Sequence, residues 1–152
     1  MLDLDPKLAS QYHNDRHVVK MILETAQILC TTHHELGNHD VPYRATHKSH
    51  PCTIWARKSL DNYNWLKKLG INLSLEYTFR FGKIHKSQEV IENLPVPKLD
   101  QNGLTEFALA MPEEYRVRND PVLSYRMYYK KSKNHLASWK KRGEPHWWAN
   151  LN

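Results

Sequence analysis

The sequence predicts an all-α fold, one compact multi-helix domain over residues 1–152 that ends in a basic, aromatic segment. Three observations carry this. Asp5-Pro6 and Asp120-Pro121 pair a capping carboxylate with a proline whose fixed φ suits a first helical position. Gly37, Gly70 and Gly82 each follow an apolar run at helical spacing, where a left-handed residue commonly closes a helix. No segment alternates apolar and polar side chains as a half-buried strand does, and neither an internal repeat nor a low-complexity tract is present.

In order, the first helix runs from Pro6 to about Leu36, with Asn14-Asp15 as an internal cap that would set His13 in a separate turn. Residues 37–52 form a polar, histidine-rich loop. A second helix spans Thr53 to Leu69, with Trp55, Leu60, Tyr63, Trp65, Leu66 and Leu69 as apolar contacts and Gly70 as its stop. A third covers Asn72 to Phe81 before Gly82, and residues 87–94 make a short helix ahead of Pro95-Val96-Pro97. Residues 95–104 are a loop and Leu104–Met111 a short apolar stretch. Asp120-Pro121 then opens a helix reaching about His135, and Ser138 to Asn152 is basic and aromatic.

Apolar residues are 40% of the chain and charged residues 25%, the balance of a folded chain rather than a disordered one. The formal net charge is +6 before ten histidines are counted, which favours a polyanionic partner such as nucleic acid. Cys30 and Cys52 are the only cysteines and share no CxxC spacing, so a reducing cytoplasm is expected rather than a disulfide framework. No apolar run reaches the roughly 18 residues of a membrane span. No basic-then-apolar leader opens the chain either, so no membrane partner is expected.

His13, Arg16, His17, Lys20, Glu24 and Gln27 fall within roughly a quarter of the circumference of the first helix. Val18, Val19, Met21, Ile22, Leu23, Ala26, Ile28 and Leu29 fill most of the remainder. A helix so wrapped in apolar contacts lies deep in a fold, and its polar line then faces a cleft. Imidazole, amine and carboxylate groups lining one cleft suit acid–base and nucleophilic chemistry. The plain alternative is the solvated face of an amphipathic helix. His13 and His17, four apart, with Glu24 two turns on, also have a spacing compatible with metal ligation, although no HExxH-type signature accompanies them and no metal or cofactor is assigned.

Two further segments suit nucleic acid. In the loop, Arg44 and Lys48 fit phosphate oxygens, Tyr43 fits base stacking, and His47 and His50 add hydrogen-bonding groups. Towards the C-terminus, Lys130 and Lys131 follow tyrosines, Trp139 precedes Lys140, Lys141 and Arg142, and Trp147-Trp148 come soon after. Cations neutralise phosphates, and aromatic faces stack bases with little sequence preference.

The run Leu8-Ala9-Ser10-Gln11-Tyr12-His13, followed by a glutamate-bearing helix that ends His33-His34-Glu35-Leu36, resembles the first helix of the pyrimidine-dimer DNA glycosylases, the T-even phage ultraviolet-endonuclease type. The loop Tyr43…His50-Pro51 and the run Glu76-Tyr77…Arg80-Phe81-Gly82 resemble microbial members of that family. Tyr128-Tyr129-Lys130-Lys131 is similar to its aromatic, lysine-rich end. The resemblance is concentrated in residues 8–85 and rests on short motifs. It implies an all-α monomer that acts on double-stranded DNA in the cytoplasm, the host's if the gene is a phage's. The implied reaction excises ultraviolet-damaged pyrimidines: a primary amine attacks the sugar C1′ and forms a Schiff base, a first-helix glutamate assists, and β-elimination then cleaves the strand.

On that resemblance Glu24 matches the catalytic glutamate, and His13 and Arg16 match groups that contact DNA around the lesion. The amine departs from the pattern. Leu2 is too bulky for removal of the preceding methionine, so the α-amine would be that of Met1. An α-amine has an ordinary pKa of about 7.7–8.0 and keeps some free base at neutral pH. Lys20 is the rival, because burial beside His17 and Arg16 would lower its pKa. Three activities stay open on the residues: this glycosylase with its lyase step; another nucleic-acid or nucleotide enzyme, metal-dependent through His13, His17 and Glu24; and a non-enzymatic nucleic-acid-binding protein using the loop and tail.

Overall fold

A proline placed directly after a capping side chain starts three of the six helices. In the computed structural model, which describes residues 1–152, these are α1 (Pro6–Tyr12), α3 (Pro51–Ala56) and α6 (Pro121–Ser132). Their caps are Asp5, His50 and Asp120, each accepting a hydrogen bond from a backbone N–H of the first turn. The others are α2 (Asp15–Glu35), α4 (Leu60–Phe81) and α5 (Lys86–Asn93). Single 3-10 turns occur at Glu113–Tyr115 and Asn134–Leu136, and the chain has no strand. No helix is long and apolar enough to cross a membrane.

The two long helices, α2 and α4, pack together at the centre; α1 and α5 pack on α4, and α3 and α5 on α2. Val18, Ile22, Ala26 and Leu29 of α2 meet Trp65, Leu66, Leu69 and Leu73 of α4 in the main core, which Trp55, Ile91 and Phe107 complete. A smaller core lies beside it, built from Leu2, Tyr129, Trp139, Trp147 and Trp148.

One boundary follows the internal cap that the sequence offered at Asn14-Asp15, and one departs from the sequence expectation. The first helix is two helices, because Asn14 turns out of helical conformation and caps α2 through its Oδ1, which accepts from the His17 N–H at 2.9 Å. Gly70 stops nothing. The helix that contains it begins after Ser59, which caps it, and runs on to Gly82, whose φ of +67° closes it. A Cβ on Gly70 would stand 2.8 Å from Thr25 Cγ2 and 2.9 Å from Ile91 Cδ1. The missing side chain therefore lets α2 and α5 approach α4, which outweighs the roughly 1 kcal/mol that a helical glycine costs relative to alanine.

The break between α1 and α2 leaves backbone carbonyls without helical donors, and a buried arginine supplies them. Arg80, fully buried on α4, donates from Nη2 to the Gln11 carbonyl at 2.9 Å and from Nη1 to the His13 carbonyl at 2.8 Å. Its Nε donates to Glu76 Oε1 at 2.8 Å, and Nη1 also reaches Asp15 Oδ1 at 3.1 Å.

Two stability measurements check this packing. Gly70→Ala, ordinarily a gain inside a helix, is expected to lower the urea midpoint by about 1 kcal/mol of stability, because the methyl group overpacks the contact. Arg80→Met is expected to cost about 3–5 kcal/mol in the same titration, since it leaves the Gln11 and His13 carbonyls without donors and Glu76 with Arg142 as its one remaining partner.

Candidate active site

The α1–α2 break is also what builds the candidate site. It turns His13 inward, where Nδ1 donates to the Ala9 carbonyl at 2.6 Å, and it aims the Asn14 N–H at the Tyr129 hydroxyl, 2.8 Å away. His17, one turn into α2, packs its ring against the edge of Tyr129 with centroids 5.1 Å apart. The N-terminal segment closes over this corner. Arg126 of α6 donates to the Leu2 carbonyl at 2.9 Å and to Asp3 Oδ2 at 2.7 Å, and its guanidinium lies over the rings of Tyr12 and Trp147. Trp65 Nε1 holds the Leu4 carbonyl at 2.7 Å.

So anchored, the segment encloses the Met1 α-amine between α2 and α3. Burial lowers its pKa from 8.0 to about 6, with the neighbouring Cys52 opposing the shift. The amine's charge in turn acts on His13, His17 and Cys52. His13 is held down to about 3, chiefly by burial and then by the amine. His17 falls to about 4, again chiefly through burial, with Lys133, Lys20, the amine and His135 adding repulsion. The Cys52 thiol is pushed up by burial, and Glu24 adds to that rise. Cys52 also lies 3.7 Å from the Tyr125 hydroxyl. One amine of lowered pKa, two imidazoles held neutral and a thiol thus lie near one another, and Glu24 reaches this group through Cys52, not as a charge acting on the amine.

The predicted stripe occupies the outer face of α2, opposite the core. Arg16 and Lys20 are exposed, while His17, Glu24 and Gln27 are half-buried. Val19 and Leu23, expected among the packing residues, are exposed as well. Lys20 is not buried: its Nζ stands in solvent 3.4 Å from Glu24 Oε1, so the burial that would have made it a nucleophile is absent. His13 is buried on a hydrogen bond to its own helix and cannot reach a phosphate. His13, His17 and Glu24 do not converge into a group that could hold a metal ion.

Around the corner, cations line the surface. Asp15 accepts from the Lys140 N–H and the Ser138 hydroxyl, which brings Lys140, Lys141 and Arg142 beside the start of α2. All three are exposed residues, and Arg142 grips Glu76 through Nε at 2.8 Å and Nη2 at 3.0 Å. Lys131 is exposed, and Lys130 lies over the Trp148 ring at 4.5 Å. Trp139 corrects the sequence expectation. It is buried, with Nε1 donating to the Tyr12 carbonyl at 2.9 Å and its ring against Trp148, so the tail's indoles seal the second core and form no stacking platform.

In the loop, Arg44, His47, Lys48 and His50 are exposed, with His50 capping α3. Tyr43 packs against the main core and bonds Ser87 Oγ at 2.9 Å, which removes it as a stacking face. Thr46 ties the loop to Thr31 of α2, seven residues and about 10 Å of helix beyond Glu24. Residues not expected near the stripe are Cys52, Lys133 and His135. They meet the stripe only through space, and no local spacing signals them. Comparison of the chain with protein-family models, curated proteins and solved structures gives no match.

The depressed basic groups set an acid limit. Between pH 6.5 and about 4 the unfolded chain binds protons that folded His13 and His17 refuse, so stability falls as pH falls through that window. The Met1 amine extends the same trend upward to pH 8. Urea midpoints are therefore expected to drop from pH 7 to 4.5. His13→Gln, which keeps a donor for Ala9, is expected to flatten that slope by up to about 1.4 kcal/mol per pH unit, one proton's worth.

Proposed function

We propose that this chain is a DNA glycosylase with an associated abasic-site lyase activity, acting on damaged or modified pyrimidines in duplex DNA. The observation that carries the reading is the buried Met1 amine, shifted to about 6 near Cys52, a residue on which Glu24 of α2 also acts. At neutral pH such an amine is mostly free base and needs no separate base to be a nucleophile. Lys133 and Lys20 act on His17, and exposed cations also lie on α2, the loop and the tail, which suits a phosphate backbone. A surface cleft lined by Glu106, Arg116, Arg118 and Asp120 includes none of these groups.

In the proposed reaction the amine lone pair forms a bond to C1′ while the bond from C1′ to the base breaks, and a proton from the amine passes to the departing base. Glu24 stabilises the positive charge that develops on the sugar, then takes the remaining proton from the amine nitrogen and delivers it to O4′ as the C1′–O4′ bond breaks and the ring opens. Loss of a C2′ proton from the resulting Schiff base expels the 3′ phosphate and cuts the strand. The neutral His17 adds no like charge beside the amine and stays available as an acceptor.

The test is borohydride trapping on an ultraviolet-irradiated duplex. A covalent protein–DNA adduct is expected, mapping by mass spectrometry to the Met1 peptide rather than to Lys20. Its rate should rise through a midpoint near pH 6, not near 8. Glu24→Gln should slow trapping by about 100-fold or more with the fold intact. A folded protein that binds the duplex yet yields no adduct would sink the proposal.

A further inference from the structure

The core face of α2 is complete without Val19 and Leu23. Val18, Ile22, Ala26 and Leu29 are each fully buried, whereas Val19 is 39% exposed and Leu23 42% exposed on the next turn of the same side. The α4–α5 turn continues this apolar ridge. His85 lies against the Val19 backbone, and the preceding Ile84 is 77% exposed. Cations bracket the ridge: Arg16 and Lys20 on α2 and Lys83 on the turn are all exposed. Leu23 directly precedes Glu24, so the ridge and the carboxylate stand at one level of the helix.

Apolar side chains gain nothing from phosphates, and a phosphate-binding surface has no use for three of them in its middle. The interior of a base stack is the broadest apolar surface that a duplex offers between its two rows of phosphates, the thymine methyl groups being isolated points in the major groove. From this juxtaposition we infer that Leu23, flanked by Val19 and Ile84, is a wedge that enters the base stack of duplex DNA while Arg16, Lys20 and Lys83 take the phosphates on either side. The inference rests on the proposed DNA reading and adds to it the means by which the target nucleotide leaves the helix. Side chains of this kind unstack a step at a cost that is least where the base is damaged or missing. Opening the stack at Leu23 brings the freed sugar to the level of Glu24.

The experiment uses a duplex carrying a tetrahydrofuran abasic site, which cannot form a Schiff base, with 2-aminopurine as the neighbouring base. The intact protein is expected to raise 2-aminopurine fluorescence on binding. Leu23→Ala should abolish most of the rise and bind this duplex about tenfold more weakly, the worth of one buried leucine side chain. Leu23→Phe should retain the signal, and single-stranded DNA of the same sequence should be bound equally by all three, since nothing there needs unstacking. Because Leu23 is largely in solvent, its loss leaves the fold in place, which a thermal melt checks.

Binding of the duplex with no fluorescence rise, or a rise that Leu23→Ala leaves unchanged, overturns the wedge while the glycosylase reading stands on its trapping result. A dimer in equilibrium sedimentation that Leu23→Ala converts to monomer also overturns it, by giving the ridge a second copy of the chain as its occupant. Absence of any duplex binding removes the wedge and the DNA reading together.

Discussion

Arg80 is the interaction on which the rest of the structure depends. Its guanidinium has no contact with solvent, yet it is bonded to two carboxylates and two carbonyls drawn from three parts of the chain. A buried charge survives only when pairing and hydrogen bonds replace its hydration. Here the replacement is thorough, because the planar fork of donors meets Glu76 along its edge and the α1–α2 break at its tips. Arg142 adds a second guanidinium to Glu76, and Asp15 spreads its two oxygens over Arg80, Ser138 and Lys140. Two arginines and two acids thus close a nearly neutral cluster that holds the break, the end of α4 and the tail in one relation.

Everything at the candidate site follows from that relation. The carbonyls of Gln11 and His13 can leave helical bonding only because Arg80 receives them, and only a broken helix turns His13 inward and starts α2 afresh at Asp15. The phase of α2 then sets Glu24 towards α3 and Cys52, and Val19 and Leu23 away from the core. The tail that Asp15 retains carries Trp139, which with Trp147 and Trp148 builds the small core against which Leu2 packs. Enclosure of the Met1 amine is therefore a remote consequence of a guanidinium on α4, transmitted through packed aromatic rings and the grip of Arg126 on residues 2 and 3.

The features legible in the sequence were those whose cause is local. Asp5-Pro6, Asp120-Pro121 and Gly82 act within one helical turn, and each is where its residues said it would be. The Asn14-Asp15 cap was visible for the same reason. Gly70 was misread because a glycine that ends a helix and one that admits a neighbouring helix look alike until Thr25 and Ile91 are known to press on it. The tail indoles were misread because aromatic residues alternating with cations describe both a stacking surface and a core sealed by lysine stems. Glu24 and His17 could be picked from one helical face. The partners that give them meaning, Cys52 and the enclosed amine, arrive from other elements, and no spacing along the chain encodes them.

Under the proposed reaction, the corner meets two opposing demands on charge. A surface that gathers phosphates must be positive, and a nucleophilic amine must not be. Were the amine's low pKa due to neighbouring cations, it would weaken whenever salt or a bound polyanion screened them. Burial is instead its leading cause, and burial does not depend on ionic strength. His17 feels both effects, since Lys133, Lys20 and His135 add to its desolvation. The two groups thus separate by mechanism: the amine is kept unprotonated by the packing that Arg80 and Arg126 secure, while His17 carries in addition the field of the surface around it. A site organised this way keeps its free amine when the cations around it are occupied, which is when a reaction on a bound strand would need it.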